Sequence, residues 1–401
     1  MKEINYVKDI YGSLDTYYYS QQWEKKSIVI FGLSVLGQVI ASYFDNKKTK
    51  KFYIVDNKKA GKVWMDQYIL KPAEVIPNLS DDAVILIAPR DKSIIEEILR
   101  LNKNLESQIV DLSYYTRDYL SEKFQNDLRM SELEKVSLST SQKAFLPMLQ
   151  EFHEFCCAHN LTYYLEFGTL LGAVRHHGFI PWDDDIDVSM PIKDYLKFCQ
   201  LYAVEGSFHF ESVYDLDSYI PLSSVAKIKS SEIVTEYRHF PVMAITGICM
   251  DIMPICGFPS DENEQMDFMQ EFYRLGDVWK HDAVITHGTD ACDVDKCKTV
   301  QRQMTDLLLK YDFDTSEYVG PVYFLYVTGN DVSNHAVKKE WYKERMLVPF
   351  EGRNFYVPSG YNELLKHWYD DYMKLPPKEK RVPLNTGKLY KYLGKQDFYL
   401  L

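Results

Sequence analysis

The chain is poor in cysteine pattern. Its seven cysteines are an odd number with no Cys-x-x-Cys; Cys156 and Cys157 are adjacent, and Cys292 and Cys297 are five apart. That excludes a disulfide framework and a zinc-ligand spacing, and fits small buried thiols in a reducing cytosol. A basic excess is missing too: 46 Lys and Arg against 58 Asp and Glu leave a formal charge of −12. Broad nucleic-acid binding needs a basic face and is not expected. No uninterrupted apolar run is long enough to span a bilayer. Ser27 to Phe44 carries no charge, but Gly32, Ser34, Gly37, Gln38 and Ser42 break it, and it falls short of the ~20 apolar residues a span needs. The polar start Met1-Lys2-Glu3-Ile4-Asn5 gives no secretory leader, so a cytoplasmic location is expected. No Gly-x-Ser-x-Gly and no Ser-His-Asp arrangement is legible, which leaves acyl-enzyme chemistry without support.

What is present begins with alternating elements. The length suggests two or three domains. Ser27–Phe31, Phe52–Val55, Ala83–Ala88 and Gln108–Leu112 are short apolar runs that predict buried strands, and the stretches to Phe44 and over Ser93–Leu101 have helix spacing. Strands alternating with helices predict a parallel sheet over residues 1–115. Gly32-x-Ser34-x-x-Gly37 after the first strand, with Asp56 nineteen residues beyond Gly37, approximates a dinucleotide fingerprint. Ser34 stands where the middle glycine would be and would crowd a pyrophosphate. Turn geometry alone explains Gly32 and Gly37, and NAD chemistry is not expected because no catalytic partner is visible. This part resembles the small Rossmann-like domain attached to many bacterial surface-glycan enzymes; a small regulatory ligand at Gly32, Ser34, Gly37 and Asp56, or a partner surface, fits better. Residues 116–141 are charged and read as a helical connector. A catalytic domain is expected over 142–401, opening with a helix over Gln142–His159, and Glu262–Lys280 and Lys296–Lys310 are further amphipathic stretches.

The most informative run is Asp183-Asp184-Asp185-Ile186-Asp187-Val188. An acidic run is usually a solvated face. If Asp185 to Val188 is a strand, however, Asp185 and Asp187 point to one face, where two carboxylates repel unless a cation lies between them. Mg²⁺ (or Mn²⁺) prefers such oxygen ligands and leaves room for phosphate, and a pair of ions serves in-line displacement at phosphorus. Upstream, Leu165 to Gly172 reads as a strand, a Gly168-Thr169 turn and a helix start, which offers backbone N–H groups and a hydroxyl to phosphate. Cations that could hold donor phosphates are Arg175, Lys227 and Arg353, each by default a surface charge.

The string Tyr163-Tyr-Leu-Glu-Phe-Gly-Thr-Leu-Leu-Gly-Ala-Val-Arg175-His-His-Gly-Phe-Ile-Pro-Trp-Asp-Asp-Asp-Ile-Asp187 resembles the LicD family, relatives of the fukutin-type transferases. Phe350-Glu-Gly-Arg-Asn-Phe-Tyr-Val-Pro358 and Tyr369-Asp-Asp-Tyr-Met-Lys-Leu-Pro-Pro377 resemble its C-terminal segment, so the likeness covers roughly residues 140 to 380. The resemblance implies an α+β nucleotidyltransferase-type domain after the α/β Rossmann-like one. It also implies transfer of phosphocholine or a phospho-polyol from a CDP-linked donor to a glycan or lipid-linked glycan, and allows peripheral association with the inner face of the membrane. The family's acidic residue on a later strand is matched by Asp251 in Gly247-Ile-Cys-Met-Asp251-Ile-Met-Pro254. Asp185, Asp187 and Asp251 are then the expected metal ligands for about two Mg²⁺ ions. Glu166 is either an acceptor-side base or a carboxylate paired with Arg175. Two other readings stand beside this one: a nucleotidyltransferase that uses an NTP and releases pyrophosphate, and a ligand-sensing scaffold with an inactive transferase domain.

Overall fold

The structure is a computed structural model. It describes the chain except residues 1–2, 48, 50–51, 66, 90, 92, 115–131, 213–224, 240–241, 282–285, 287–292, 323–334, 384–387 and 395–401. The architecture is α/β, with two principal sheets.

The first sheet has six strands, in the order Val63–Trp64, Gln67–Leu70, Phe52–Val55, Ile28–Phe31, Val84–Ile87, Ile109–Asp111. All neighbours are parallel except the Val63–Trp64 edge pair, which the sequence reading had not resolved. Alternate residues face opposite sides. Ile28, Ile30, Ile54 and Leu86 pack with Val7, Ile10, Leu14, Val39 and Phe44 from the helices Val7–Ser20 and Val35–Asn46. Val29, Phe31, Val55, Ile85 and Ile87 pack with Ile94 and Ile98 of the helix Ser93–Leu101. Both faces are thereby dry, which is why these strands read as continuous apolar runs.

Every part of the glycine turn has an internal partner. Gly32 lies at φ +87°, and a Cβ there would meet the Pro89 ring at 2.2 Å. Ser34 caps the helix by accepting from the Gly37 amide at 3.3 Å. Asp56 accepts from the amides of Leu33 at 2.9 Å, Lys58 at 2.8 Å and Lys59 at 3.0 Å.

Among the described residues the second sheet has ten strands. Its spine is an antiparallel pair of long strands, Ala226–His239 and Val242–Phe258, with a register shift between Lys229 and Val234. Ile186–Pro191 lies parallel to Val242–Phe258 and antiparallel to Tyr164–Leu165. Around this sheet pack the helices Leu138–Ala158, Phe167–His176, Ile192–Glu205, Glu262–Lys280 and Val294–Leu309. Phe145, Leu149, Phe152 and Cys156 give the first of them a buried stripe.

Two boundaries differ from expectation. The helix expected from Gln142 begins at Leu138, because Ser137 accepts from the Thr140 amide at 3.2 Å and caps it there. Within the expected helical connector 116–141, residues 115–131 lie outside the described residues, and Leu133–Lys135 is a strand paired with Leu389–Tyr392. Charged residues suit such a short edge strand, and helix propensity yields to the ladder. Residues 3–5 also cross over: Glu3–Asn5 pairs antiparallel with Val242–Ala244, so the N-terminal segment adds a strand to the second sheet.

Candidate functional site

The register of three strands builds the site. Asp187 is the pairing partner of Asp251, and Asp251 is the partner of Lys227 on its other side. Residues in one row across a sheet project from the same face. Two carboxylates and an ammonium therefore stand side by side. Lys227 Nζ donates to Asp251 Oδ1 at 2.5 Å, with about a fifth of each side chain exposed (19% and 24%). Burial pulls the Lys227 ammonium towards its neutral form, but Asp251, Cys249 and Glu211 together outweigh it and keep the lysine charged.

Asp185 lies just before the strand, which begins at Ile186 rather than at Asp185. Burial, then the Asp183, Asp184 and Asp251 carboxylates, push the Asp185 carboxyl well above the ordinary range. Asp187 is pushed up in the same way, by burial and by Asp185, Asp251 and Asp183. Asp183 rises to about 6, through burial and Asp184. All three hold their protons more tightly than free carboxyls do, which is the electrostatic signature of a site short of positive charge. Asp183, Asp184 and Asp185 each offer a ligand oxygen within 4.8 Å of the others'. The sequence reading took only Asp185 from this triplet. An all-carboxylate oxygen set fits a hard divalent cation such as Mg²⁺ or Mn²⁺, and Lys227 alone cannot neutralise it.

The loop before the strand is tightly held. Gln142 Nε2 donates to the carbonyls of Ile180 at 3.1 Å and Asp183 at 2.9 Å. A Cβ on Gly168 would meet Asp183 Oδ2 at 3.0 Å, so the acidic loop presses on the start of the helix Phe167–His176. One turn on, a Cβ on Gly172 would lie 2.5 Å from the Gly178 carbonyl oxygen. Phe167 takes φ +43°, unusual for a large side chain, where strand turns into helix. Thr169 Oγ1 accepts from the Asp187 amide at 2.9 Å, so this hydroxyl fixes the strand that carries Asp187.

Several expected positions sit differently. Glu166 is fully buried. Its Oε2 accepts from Ser189 Oγ at 2.7 Å and Tyr342 Oη at 2.9 Å, and burial outweighs these bonds and pushes its carboxyl up to about 7. Its pairing with Arg175 is not formed, and an acceptor-side base would need a path to substrate that a side chain with no exposed surface does not have. Arg175 instead donates from Nε to His176 Nε2 at 3.0 Å and from Nη1 to the Tyr372 carbonyl at 2.5 Å. Arg353 is exposed on the two-stranded sheet Arg345–Phe350 and Arg353–Pro358, separate from the sheet that carries the carboxylates. From the turn of that hairpin, Glu351 accepts from the Phe179 amide at 3.1 Å, which ties it to the loop before Pro181.

Tyr369 had been quoted only as part of a motif. It ends the helix Tyr361–Tyr369, and burial together with Asp187, Asp183, Glu166 and Asp185 pushes its phenol up. Its neighbourhood to the carboxylates depends on how the C-terminal segment wraps back, which no local pattern encodes. The Arg381 guanidinium, on the same returning segment, lies 5.7 Å from the Trp182 ring centroid.

Comparison with known proteins now bears on this geometry. Residues 160–239 match the family model described as the LicD/FKTN/FKRP nucleotidyltransferase domain, a span that contains Asp183 to Asp187 and Lys227. These residues therefore carry a domain of the LicD family. It is 28% identical over 272 residues to the lipopolysaccharide cholinephosphotransferase LicD of Haemophilus influenzae, covering 64% of this chain and 99% of that protein. Two uncharacterized proteins, of Rickettsia typhi and Rickettsia prowazekii, are each 43% identical over 68 and 54 residues, which is 20% of either. The LicD likeness thus extends well beyond the matched domain, although the model match itself ends at residue 239, before Asp251.

Proposed function

We propose that this LicD-family chain transfers a phospho-alcohol, phosphocholine first among the choices, from a CDP-linked donor to a hydroxyl of a cell-surface glycan. The observation that carries the reading is the row Asp187, Asp251, Lys227 with Asp185 beside it. In support, a relative covered over 99% of its length is a cholinephosphotransferase of lipopolysaccharide. The acceptor oxygen forms a bond to the phosphorus that bears the alcohol, the bond from that phosphorus to the bridging oxygen breaks, and CMP leaves with the electron pair. The acceptor proton passes to a carboxylate of the cluster or to water.

Asp185, Asp187 and Asp251 would hold the cation; Asp183 and Asp184 each offer an oxygen within 4.8 Å of one on Asp185. A bound divalent ion supplies charge neutralisation to the donor diphosphate. The chain's own residues do the rest. Lys227 holds the Asp251 carboxylate in place through its ion pair. Thr169 and Gln142 fix the strand and loop that bear the carboxylates. Gly168 allows the helix start to lie close to the acidic loop, where its N–H groups can meet phosphate.

The test is CMP release from CDP-choline, CDP-glycerol and CDP-ribitol, with and without Mg²⁺, using Asp187→Asn and Asp251→Asn as controls. Either substitution keeps shape and removes charge, so turnover should fall at least about a hundredfold. Pyrophosphate released from an NTP, without CMP from any donor, would give the site to nucleotidyl transfer instead.

A further inference from the structure

The segment that follows the helix Tyr361–Tyr369 is pinned at both ends to the walls of the site. At one end the Tyr372 carbonyl accepts from Arg175 Nη1 at 2.5 Å; at the other the Arg381 guanidinium lies 5.7 Å from the Trp182 ring centroid. Between these anchors the chain turns outward. Met373 is 57% exposed, Leu375 43%, and Val382, just past the second anchor, 58%. Lys374, Lys378 and Lys380 are exposed among them. Over residues 374–382 there are four cations (Lys374, Lys378, Lys380, Arg381) and one anion (Glu379), so 4 − 1 = +3 in a chain of net charge −12.

A single exposed apolar side chain needs no explanation. Three within ten residues, interleaved with lysines and held at Trp182 beside the acidic run, ask for a partner. Lysine is depleted from protein–protein interfaces, whose centres are apolar. A lipid surface wants the mixture seen here: apolar side chains that enter the acyl boundary, and lysines whose stems follow them while the ammonium groups stay at anionic headgroups. Pro376 and Pro377, followed by the short turn Lys378–Lys380, stiffen the segment, so little conformational freedom is lost on docking.

We propose that Met373–Val382 docks the protein on an anionic phospholipid surface and so turns the carboxylate cleft towards an acceptor displayed there. The consequence for the acceptor rests on the transferase reading; the docking itself does not, and is measured without donor.

The experiment is sedimentation of the full chain with vesicles of phosphatidylglycerol and phosphatidylethanolamine, against vesicles of phosphatidylcholine, at low and high salt. Wild type should pellet with the anionic vesicles only, and less at high salt. Reversing Lys374, Lys378 and Lys380 together to Glu should weaken this binding at least about tenfold. Replacing Met373, Leu375 and Val382 together by Ser should remove the part of the binding that survives salt. Both triple variants should release CMP with a water-soluble acceptor at the wild-type rate, because none of the six residues belongs to the cleft. Absence of vesicle binding by the wild type, or binding that both variants retain, would overturn the proposal. Self-association abolished by the Ser variant, with no vesicle binding, would overturn it in favour of a protein interface. If docking holds while no CDP donor yields CMP, the transferase reading fails and the docking surface stands.

Discussion

The ammonium of Lys227 lies 2.5 Å from Oδ1 of Asp251, on the neighbouring strand and in the same row. Asp251 also pairs in register with Asp187, so the lysine is the near cation of a carboxylate cluster that repels itself. Lys227→Met should leave Asp251 with no near cation. The metal-free protein is expected to lose about 1–3 kcal/mol, less than a fully buried pair would because both side chains are partly exposed. Mg²⁺ should then raise the melting temperature of the variant by more than it raises that of wild type. Thermal scans of both proteins with and without Mg²⁺ check this; equal shifts would show that Lys227 and the cation act on different charges.

Glu166 gives a pH dependence with a definite sign. Its folded-state carboxyl is raised from 4.5 to about 7, so the folded state holds its proton more tightly than the unfolded chain does. For an acid shifted upward, the contribution to stability is fully present below about 4.5 and is lost as pH rises towards about 7. The loss is on the order of 3 kcal/mol. Asp183, Asp185 and Asp187 are shifted the same way, so the difference between two proteins is the informative quantity. Glu166→Gln still accepts from Ser189 and Tyr342 but cannot ionise. Urea unfolding at pH 5 and pH 8 should show a smaller fall in stability for the variant than for wild type. Parallel falls would mean that Glu166 is ionised throughout.

Gly172 is a packing constraint at the back of the site. A Cβ there would sit 2.5 Å from the Gly178 carbonyl oxygen, which is backbone and cannot swing aside. Gly172→Ala should therefore cost about 1–3 kcal/mol. It should also move the 178–185 loop, which Gln142 holds at Ile180 and Asp183, and lower turnover more than it lowers donor affinity. Unfolding and steady-state kinetics on the purified variant measure the two effects separately; wild-type values in both would show that the loop has slack.

Every carboxylate of the site lies beyond residue 160, so a chain beginning at residue 116 should still bind a CDP donor. The tertiary structure adds a penalty to that expectation. Truncation strips Glu3–Asn5 from the Val242–Ala244 ladder, and it removes Ser42, whose hydroxyl is 2.7 Å from His281 Nε2 in a buried bond. The truncated protein should melt several degrees lower and self-associate through the bared strand edge. Light scattering and a thermal scan beside a donor-binding assay would decide it. An unchanged melting temperature would mean that these contacts contribute little.

Much of the first sheet was readable because its strands are buried on both faces and therefore appear as unbroken apolar runs: Ile28–Phe31 and Val84–Ile87 are buried at every position. The edge pair Val63–Trp64 and Gln67–Leu70 was not, since it is short and only Ile69 in it is buried. No membrane-crossing helix was expected, and among the described residues none is long and apolar enough. The acidic run was legible as a candidate site through the shared strand face of Asp185 and Asp187 and the Gly168-Thr169 turn upstream, and Asp251 as its partner through family resemblance.

What the sequence determined by itself is therefore local: which runs must be buried, and that Asp183 to Asp187 gather four carboxylates within five residues. The tertiary structure decided the pairings. Lys227 was a phosphate ligand in prospect until strand register set it against Asp251. Arg175 was a phosphate ligand in prospect until the returning C-terminal segment offered it the Tyr372 carbonyl. Glu166 was a base in prospect until Ser189 and Tyr342 enclosed it. The reason is physical. Capping and hydrophobic periodicity act over a few residues and are written in neighbouring side chains, whereas register, burial and the field at a carboxylate are sums over groups far apart in the chain, which only folding brings within a few ångströms of one another.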